Sequence, residues 1–380
     1  MSPASPKAAG VEALIARKQV VICAGSGGVG KTTTAAAIAA GMAARGRTAA
    51  VLTIDPAKRL ANSLGLPELA GEERQVDPGR LEQAGLGGTG ELWAMMLDAK
   101  RTFDELVDTY AADEQARDAV LANPIYRELS NAVAGSQEYM AMEKLHQLHQ
   151  EGRYDLLVLD TPPTRNALDF LDAPRRLARF IDSRSLAFFR ASGKAGLGLL
   201  GRGTGLLFSV MQRATGVDLL QDLAAFFNAF GGMAEGFRER AQRVDALLCD
   251  SRTTFLLITS PRAAAIEEAA FFHRKLNEEG LPFGGVIANR VREPIVTAGG
   301  EQLDGELERL LYPALARKIS RTVEEHRSLA ERDQRNLEQL RTRLSRKPAI
   351  VVPELAGDVH DLEGLEAVGR HLFAAGPDRS

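Results

Sequence analysis

An α/β fold, a mainly parallel sheet flanked by helices, is predicted by three features of the sequence. Short apolar runs alternate with longer helical patterns, as strands joined by crossover helices require. Most runs are near-continuous, such as Leu156-Leu157-Val158-Leu159, which is how strands buried on both faces read. The first run leads straight into a glycine-rich turn and then an alanine-rich helix.

Taken in order, the candidate strands are 19–24, 49–54, 91–97, 154–159, 254–259, 284–288 and 349–352. Between Lys100 and Gln150 the pattern is helical, with Leu106, Tyr110, Leu121 and Leu129 on one side and charges on the other, fitting a lid or a support. From 174 to 250 no strand is expected. There, glycines between 193 and 205 sit among Leu197, Leu199, Leu200, Leu206, Leu207 and Phe208, which reads as a mainly helical insertion with an apolar middle. Leu311 to Arg346 reads as a long charged amphipathic helix that ends before Pro348, with a solvated face accounting for its charges. The organisation expected is one domain over 11–380 containing the 174–250 insertion, with 1–10 and 374–380 as loose tails.

Composition narrows the function. With 380 residues, 45% hydrophobic and 26% charged, the chain is ordinary for a soluble globular protein. Its 47 basic and 50 acidic residues leave a formal charge of −3, with no electrostatic footprint for nucleic acid. Cys23 and Cys249 stand alone, so neither a disulfide framework nor a C-x-x-C metal motif is expected, and a cytoplasmic location fits. The most apolar later stretch, 197–211, is cut by Arg202 and by glycines, so no transmembrane span is expected.

The turn after the first strand is Gly25-Ser26-Gly27-Gly28-Val29-Gly30-Lys31-Thr32, which satisfies G-x-x-x-x-G-K-[ST] between a strand and a helix. Glycines let the backbone wrap closely round phosphate, so that N–H groups and the positive helix N-terminus face the anion. Lys31 then reaches the β/γ oxygens of ATP, and Thr32 holds Mg²⁺. Asp55 follows the strand Ala50-Val51-Leu52-Thr53-Ile54 at the sheet's carboxyl edge, where a carboxylate can orient water in line with a γ-phosphate. The alternative for Asp55 is the N-cap of a helix beginning near Lys58. Asp160 closes another apolar strand and enters Thr161-Pro162-Pro163-Thr164-Arg165-Asn166, a Walker-B-like strand running into a switch loop, with Mg²⁺ bound to its carboxylate through water. His146 and His149 form half a metal site at most, and surface histidines are the better reading.

Gly25 to Thr33, Thr53-Ile54-Asp55-Pro56-Ala57, Asp160-Thr161-Pro162-Pro163-Thr164, Ile287-Ala288-Asn289-Arg290 and Val352-Pro353-Glu354-Leu355 together resemble one family. It is that of the arsenical-pump and tail-anchored-protein-targeting ATPases, P-loop NTPases with a deviant phosphate loop. The resemblance implies an ATP site extending from Gly25 to Thr33, with Asn289 giving an amide contact to adenine and Pro353 beside the base. It also implies a dimer and a hydrophobic client helix or membrane protein as partner, sheltered by the insertion, whose apolar residues read equally as ordinary core packing against the sheet. Three positions depart from the family. Ser26 stands where members carry a lysine that reaches the partner's phosphates, the zinc or arsenite cysteines are missing, and Arg165-Asn166 replaces Gly-His. The first departure leaves two expectations, a homodimer that hydrolyses slowly or a heterodimer with a paralogous ATPase subunit that keeps the lysine. The expected function is a Mg²⁺-dependent ATPase that switches conformation. The alternatives are a small-molecule kinase or ligase and a partition-type ATPase, the latter disfavoured by the lack of a basic stripe and of a C-terminal amphipathic membrane helix.

Overall fold

The computed structural model describes residues 10–55, 59–67, 69, 71–124, 126, 136–162, 175, 219–294, 307, 309–344 and 349–374. Among these, eight strands form one sheet: β1 (Val20–Ala24), β2 (Thr48–Thr53), β3 (Arg74–Gln75), β4 (Glu91–Met96), β5 (Leu156–Asp160), β6 (Thr253–Thr259), β7 (Phe283–Val291) and β8 (Ala349–Pro353). Their order is β3-β4-β2-β5-β1-β6-β7-β8, and every pairing is parallel except β3 with β4. The predicted α/β class is the observed one. Edge strand β3 is the strand that periodicity misses, because its two residues are polar and exposed.

Alternation along each strand divides the core into two layers. Val21, Cys23, Val51 and Val158 face the layer of α1 (Val11–Ile15), α2 (Lys31–Ala44), α3 (Arg59–Ser63), α4 (Pro78–Gln83) and α11 (Leu362–Phe373). Val20, Ile22, Leu52 and Leu157 face the other layer. That layer contains α5 (Ala99–Tyr110), α6 (Glu114–Leu121), α7 (Ser136–Glu151), α8 (Leu219–Cys249), α9 (Ala263–Glu278) and α10 (Pro313–Arg343).

Helix α2 shows why alanine is used so heavily. It lies between the sheet and α11, with 35–43 all buried, and a Cβ on Gly41 would stand 2.1 Å from the Phe373 ring. Asp98 and Asp361 start α5 and α11 by accepting from the amides of Arg101 and Gly364.

The described residues of the 100–150 region pack as a support. α5 and α7 stack on α8, where Phe103 and Tyr110 meet Phe237 with ring centroids 5.7 and 5.8 Å apart. Leu129 lies outside the described residues, as does the glycine-rich middle of the 174–250 insertion. The described part of that insertion, α8, contributes Met233, Phe237, Ala241, Val244 and Leu248 to the core.

The surface reading of His146 is corrected. It is 5% exposed, because α7 is covered by α8 as well as by the sheet, and Glu143 and Lys144 are buried with it. His149 is half-buried and pairs its Nε2 with Gln19 at 3.0 Å. No described helix is long and apolar enough to cross a membrane.

Candidate active site

The carboxyl ends of β2, β5 and β1 lie side by side, and parallel register places Thr53 and Cys23 on either side of Asp160. Between β1 and α2 runs the glycine loop. Gly25 allows the loop to leave β1 against β6, since a Cβ there would stand 2.0 Å from the Ile258 carbonyl oxygen. Gly30 is the N-cap of α2 at φ 91°, ψ 30°, a left-handed conformation that a side chain strains. Gly27 and Gly28 are exposed at the tip, Val29 is anchored in the core, and Thr33 is half-buried in the first turn of α2.

Three predicted residues converge there. Thr32 Oγ1 donates to Asp160 Oδ2 at 2.6 Å, and Thr53 Oγ1 donates to the same oxygen at 2.9 Å. The Asp55 amide donates to Thr53 Oγ1 at 3.2 Å, so both aspartates belong to one network. Asp160 is 1% exposed, and its Oδ1 has no hydrogen-bond partner among the described residues. Burial raises its pKa to about 6, against the pull of the two hydroxyls and of Lys31. A buried carboxylate oxygen with no donor is costly in water-free protein, and a hydrated divalent cation satisfies it. The donor set, a hydroxyl and a carboxylate oxygen, is that of a hard cation such as Mg²⁺.

Lys31 is 7% exposed and donates to the Ser26 carbonyl at 2.8 Å, folding its ammonium back across the loop. Burial is the largest influence on it and lowers its pKa, while Asp160 and then Asp55 pull it up. Cys23, behind Asp160, has its thiol pKa pushed far up by burial and is inert. Ser26 Oγ donates to Glu268 of α9, a contact between residues 242 positions apart.

Asn289 and Pro353 lie on the opposite side of the loop, at the carboxyl ends of β7 and β8. Asn289 turns its amide onto the loop: Nδ2 donates to the Val29 carbonyl at 2.9 Å, and Oδ1 accepts from the Arg290 amide at 2.9 Å. A Cβ on Gly30 would reach within 2.3 Å of that Nδ2, so Asn289 and Gly30 are fitted to each other. Pro353 is half-buried opposite Val291. The structure therefore brings Lys31, Thr32, Asp55 and Asp160 together and sets Asn289 and Pro353 on the loop's other flank. Pro56, Ala57, Lys58 and the switch-loop positions from Pro163 to Asn166 lie outside the described residues.

Sequence reasoning assigned no role to Thr53 or Glu268. The hydroxyl at the end of a strand adjoining Asp160 was the available signal for Thr53. Glu268 had none, being an ordinary charged helix position.

The anion-transporting ATPase family matches residues 18–297, which includes the loop, both aspartates and Asn289 but stops short of Pro353. ATPase GET3 of Malassezia globosa is 25% identical over 72% of this chain and 73% of its own. ATPase ARSA2 of Chlamydomonas reinhardtii is 26% identical over 76% of this chain and 72% of its own. An ATPase ASNA1 homolog of Babesia bovis is 26% identical over 82% and 76%. The matched span takes in most of the sheet and the phosphate loop at its centre, and the chain belongs to the anion-transporting ATPase family as an ATP hydrolase.

Proposed function

We propose that this ATPase depends on Mg²⁺, changes conformation with its nucleotide state, and handles a client protein or membrane partner from the cytoplasm as a dimer. The observation that carries the reading is Asp160, buried with one open oxygen and tied to Thr32, Thr53 and the backbone of Asp55. Backbone amides of Gly25 to Thr33 wrap the phosphates, and Lys31 leaves the Ser26 carbonyl for the β/γ oxygens. Thr32 would hold Mg²⁺ directly and Asp160 through water, and the ion would supply positive charge to a transferring phosphoryl group. Asp55 orients the attacking water. Asn289 fixes the loop while its strand end, with Pro353, borders the adenine.

Ser26 supplies no cation. A positive group delivered in trans is worth ~10³–10⁵ in rate, so a homodimer lacking it hydrolyses slowly. We propose a paralogous ATPase subunit as the partner that restores the charge, and the 174–250 insertion as the client contact.

Nucleotide binding and steady-state turnover test the reading. Lys31→Ala loses most ATP affinity, Asp55→Asn binds ATP normally and turns over slowly, and Ser26→Lys speeds the chain alone. Wild-type turnover by Asp55→Asn refutes the water-orienting role, and fast turnover unchanged by Ser26→Lys refutes the need for a paralogous partner.

A further inference from the structure

Thr53, the last residue of β2, is 2% exposed and lies in register beside Asp160. Its backbone is held by the strand on the other side, where the Leu97 amide donates to the Thr53 carbonyl at 2.9 Å. Its hydroxyl donates to Asp160 Oδ2 at 2.9 Å and accepts from the Asp55 amide at 3.2 Å.

The direction of this chain of bonds is fixed by chemistry. A backbone amide can only donate, and a hydroxyl has one proton. The Asp55 N–H therefore gives to Thr53 Oγ1, and the Thr53 proton is committed to Asp160. Any turn of the Asp160 carboxyl group is felt by the Thr53 hydroxyl, and through it by the main chain two residues on. Burial strengthens both links, because no water competes for them. Pro56 has no N–H, so the next main-chain donor after Asp55 is that of Ala57.

Other threonines at the carboxyl edge use their hydroxyls differently. Thr161 donates to the Cys23 carbonyl at 2.9 Å and Thr259 to the Ser260 carbonyl at 3.4 Å. Each closes onto a backbone oxygen. A hydroxyl that needed only to be satisfied has that outlet, whereas Thr53 spans a carboxylate and the amide of a second aspartate.

We propose that Thr53 is a positioning residue of the ATPase site, tying the Asp160 carboxylate to the backbone of Asp55 so that the cation side and the water side are aligned through one hydroxyl. This rests on the roles proposed above for Asp160 and Asp55. Thr53 touches neither nucleotide nor water in this account and acts through the two aspartates.

Amide hydrogen exchange over residues 53–57 and calorimetric ATP binding, each with and without Mg²⁺, test it in the wild type, Thr53→Val and Thr53→Ser. In the wild type, Mg²⁺ added to the ATP complex slows exchange at Asp55 and tightens binding. Thr53→Val keeps the branched shape and removes both bonds, so the slowing disappears. The Mg²⁺-dependent gain in affinity and kcat each fall roughly 10- to 100-fold, the usual loss when a group that orients a metal ligand is removed. Affinity for ATP alone is unchanged, and Thr53→Ser restores the wild-type responses. Thr53→Ala, which sets no methyl group against Asp160, behaves as Thr53→Val does and covers the case in which the valine variant does not fold. Slowing by Mg²⁺ that persists in the folded valine or alanine variant overturns the proposal, even if that variant melts at a lower temperature, since the hydroxyl then serves stability alone. So does a serine variant that behaves like valine. A wild type indifferent to Mg²⁺ rejects the role of Asp160 itself, and Thr53 falls with it; a responsive wild type beside an equally responsive Thr53→Val rejects Thr53 alone.

Discussion

Asp160 at the end of β5 and Glu143 in α7 are both 1% exposed, and burial raises the pKa of each. Their surroundings are opposite. Glu143 meets the Arg240 guanidinium from α8 and the Tyr139 hydroxyl at 3.4 Å, while neighbouring Lys144 pairs with Glu105 at 3.2 Å. Asp160 meets two hydroxyls on one oxygen and nothing described on the other, and the nearby ammonium of Lys31 is engaged by a carbonyl. Burial is thus common to both carboxylates. What separates them is unused bonding capacity, which the helical layer has closed internally and the carboxyl end of β5 leaves open among the described residues.

The sharpest way to break this comparison is to neutralise each carboxylate. Asp160→Asn should lower kcat on the order of 10³-fold, yet leave the nucleotide-free protein as stable as the wild type or more so, because it removes a buried charge without a cationic partner. Glu143→Ala should do the reverse. It strands Arg240, whose side chain is 14% exposed, and costs roughly 3 kcal/mol in denaturant unfolding while ATP affinity stays unchanged. Replacing both Glu143 and Arg240 with methionine should recover most of that loss. A stability cost at Asp160 equal to that at Glu143 would erase the distinction.

His146 tests the helical layer by pH. Burial first, then Arg240, His149 and Arg243, lowers its pKa from 6.5 to about 4. The folded form holds the ring neutral where the unfolded chain protonates it, so stability present above pH 6.5 is lost as pH falls towards about 4. Wild type should therefore lose stability faster than His146→Met across that window, and parallel curves would place the ring in water.

The smallest expected effect lies at the loop. Glu268 accepts from the Ser26 hydroxyl of the glycine loop, where its carboxylate would repel a phosphate bound by that loop. Glu268→Gln should raise ATP affinity by up to about fivefold, the scale of an exposed charge interaction. Weaker binding would make Glu268 a support of the bound state.

Most of the sheet was legible because parallel strands buried on both faces leave continuous apolar runs, and seven of the eight strands were found within a few residues. That Lys31, Thr32 and Asp160 would come together was legible because a phosphate loop requires residues of those types in that order. Thr53 gained its meaning only from register, since its proximity to Asp160 depends on how β2 and β5 pair. Glu143, Lys144 and His146 looked like a solvated face because a helix pattern does not reveal that α8 will cover it. The solvated face read for the long charged helix is the observed one, with Arg317, Lys318, Arg321, Glu324 and Glu325 of α10 exposed.

Calorimetric ATP binding with and without Mg²⁺, compared between wild type and Asp160→Asn, tests the central claim most directly. If the open oxygen of Asp160 belongs to a metal–nucleotide site, Mg²⁺ tightens ATP binding in the wild type and has little effect in the variant. An equal gain from Mg²⁺ in both proteins would contradict the account.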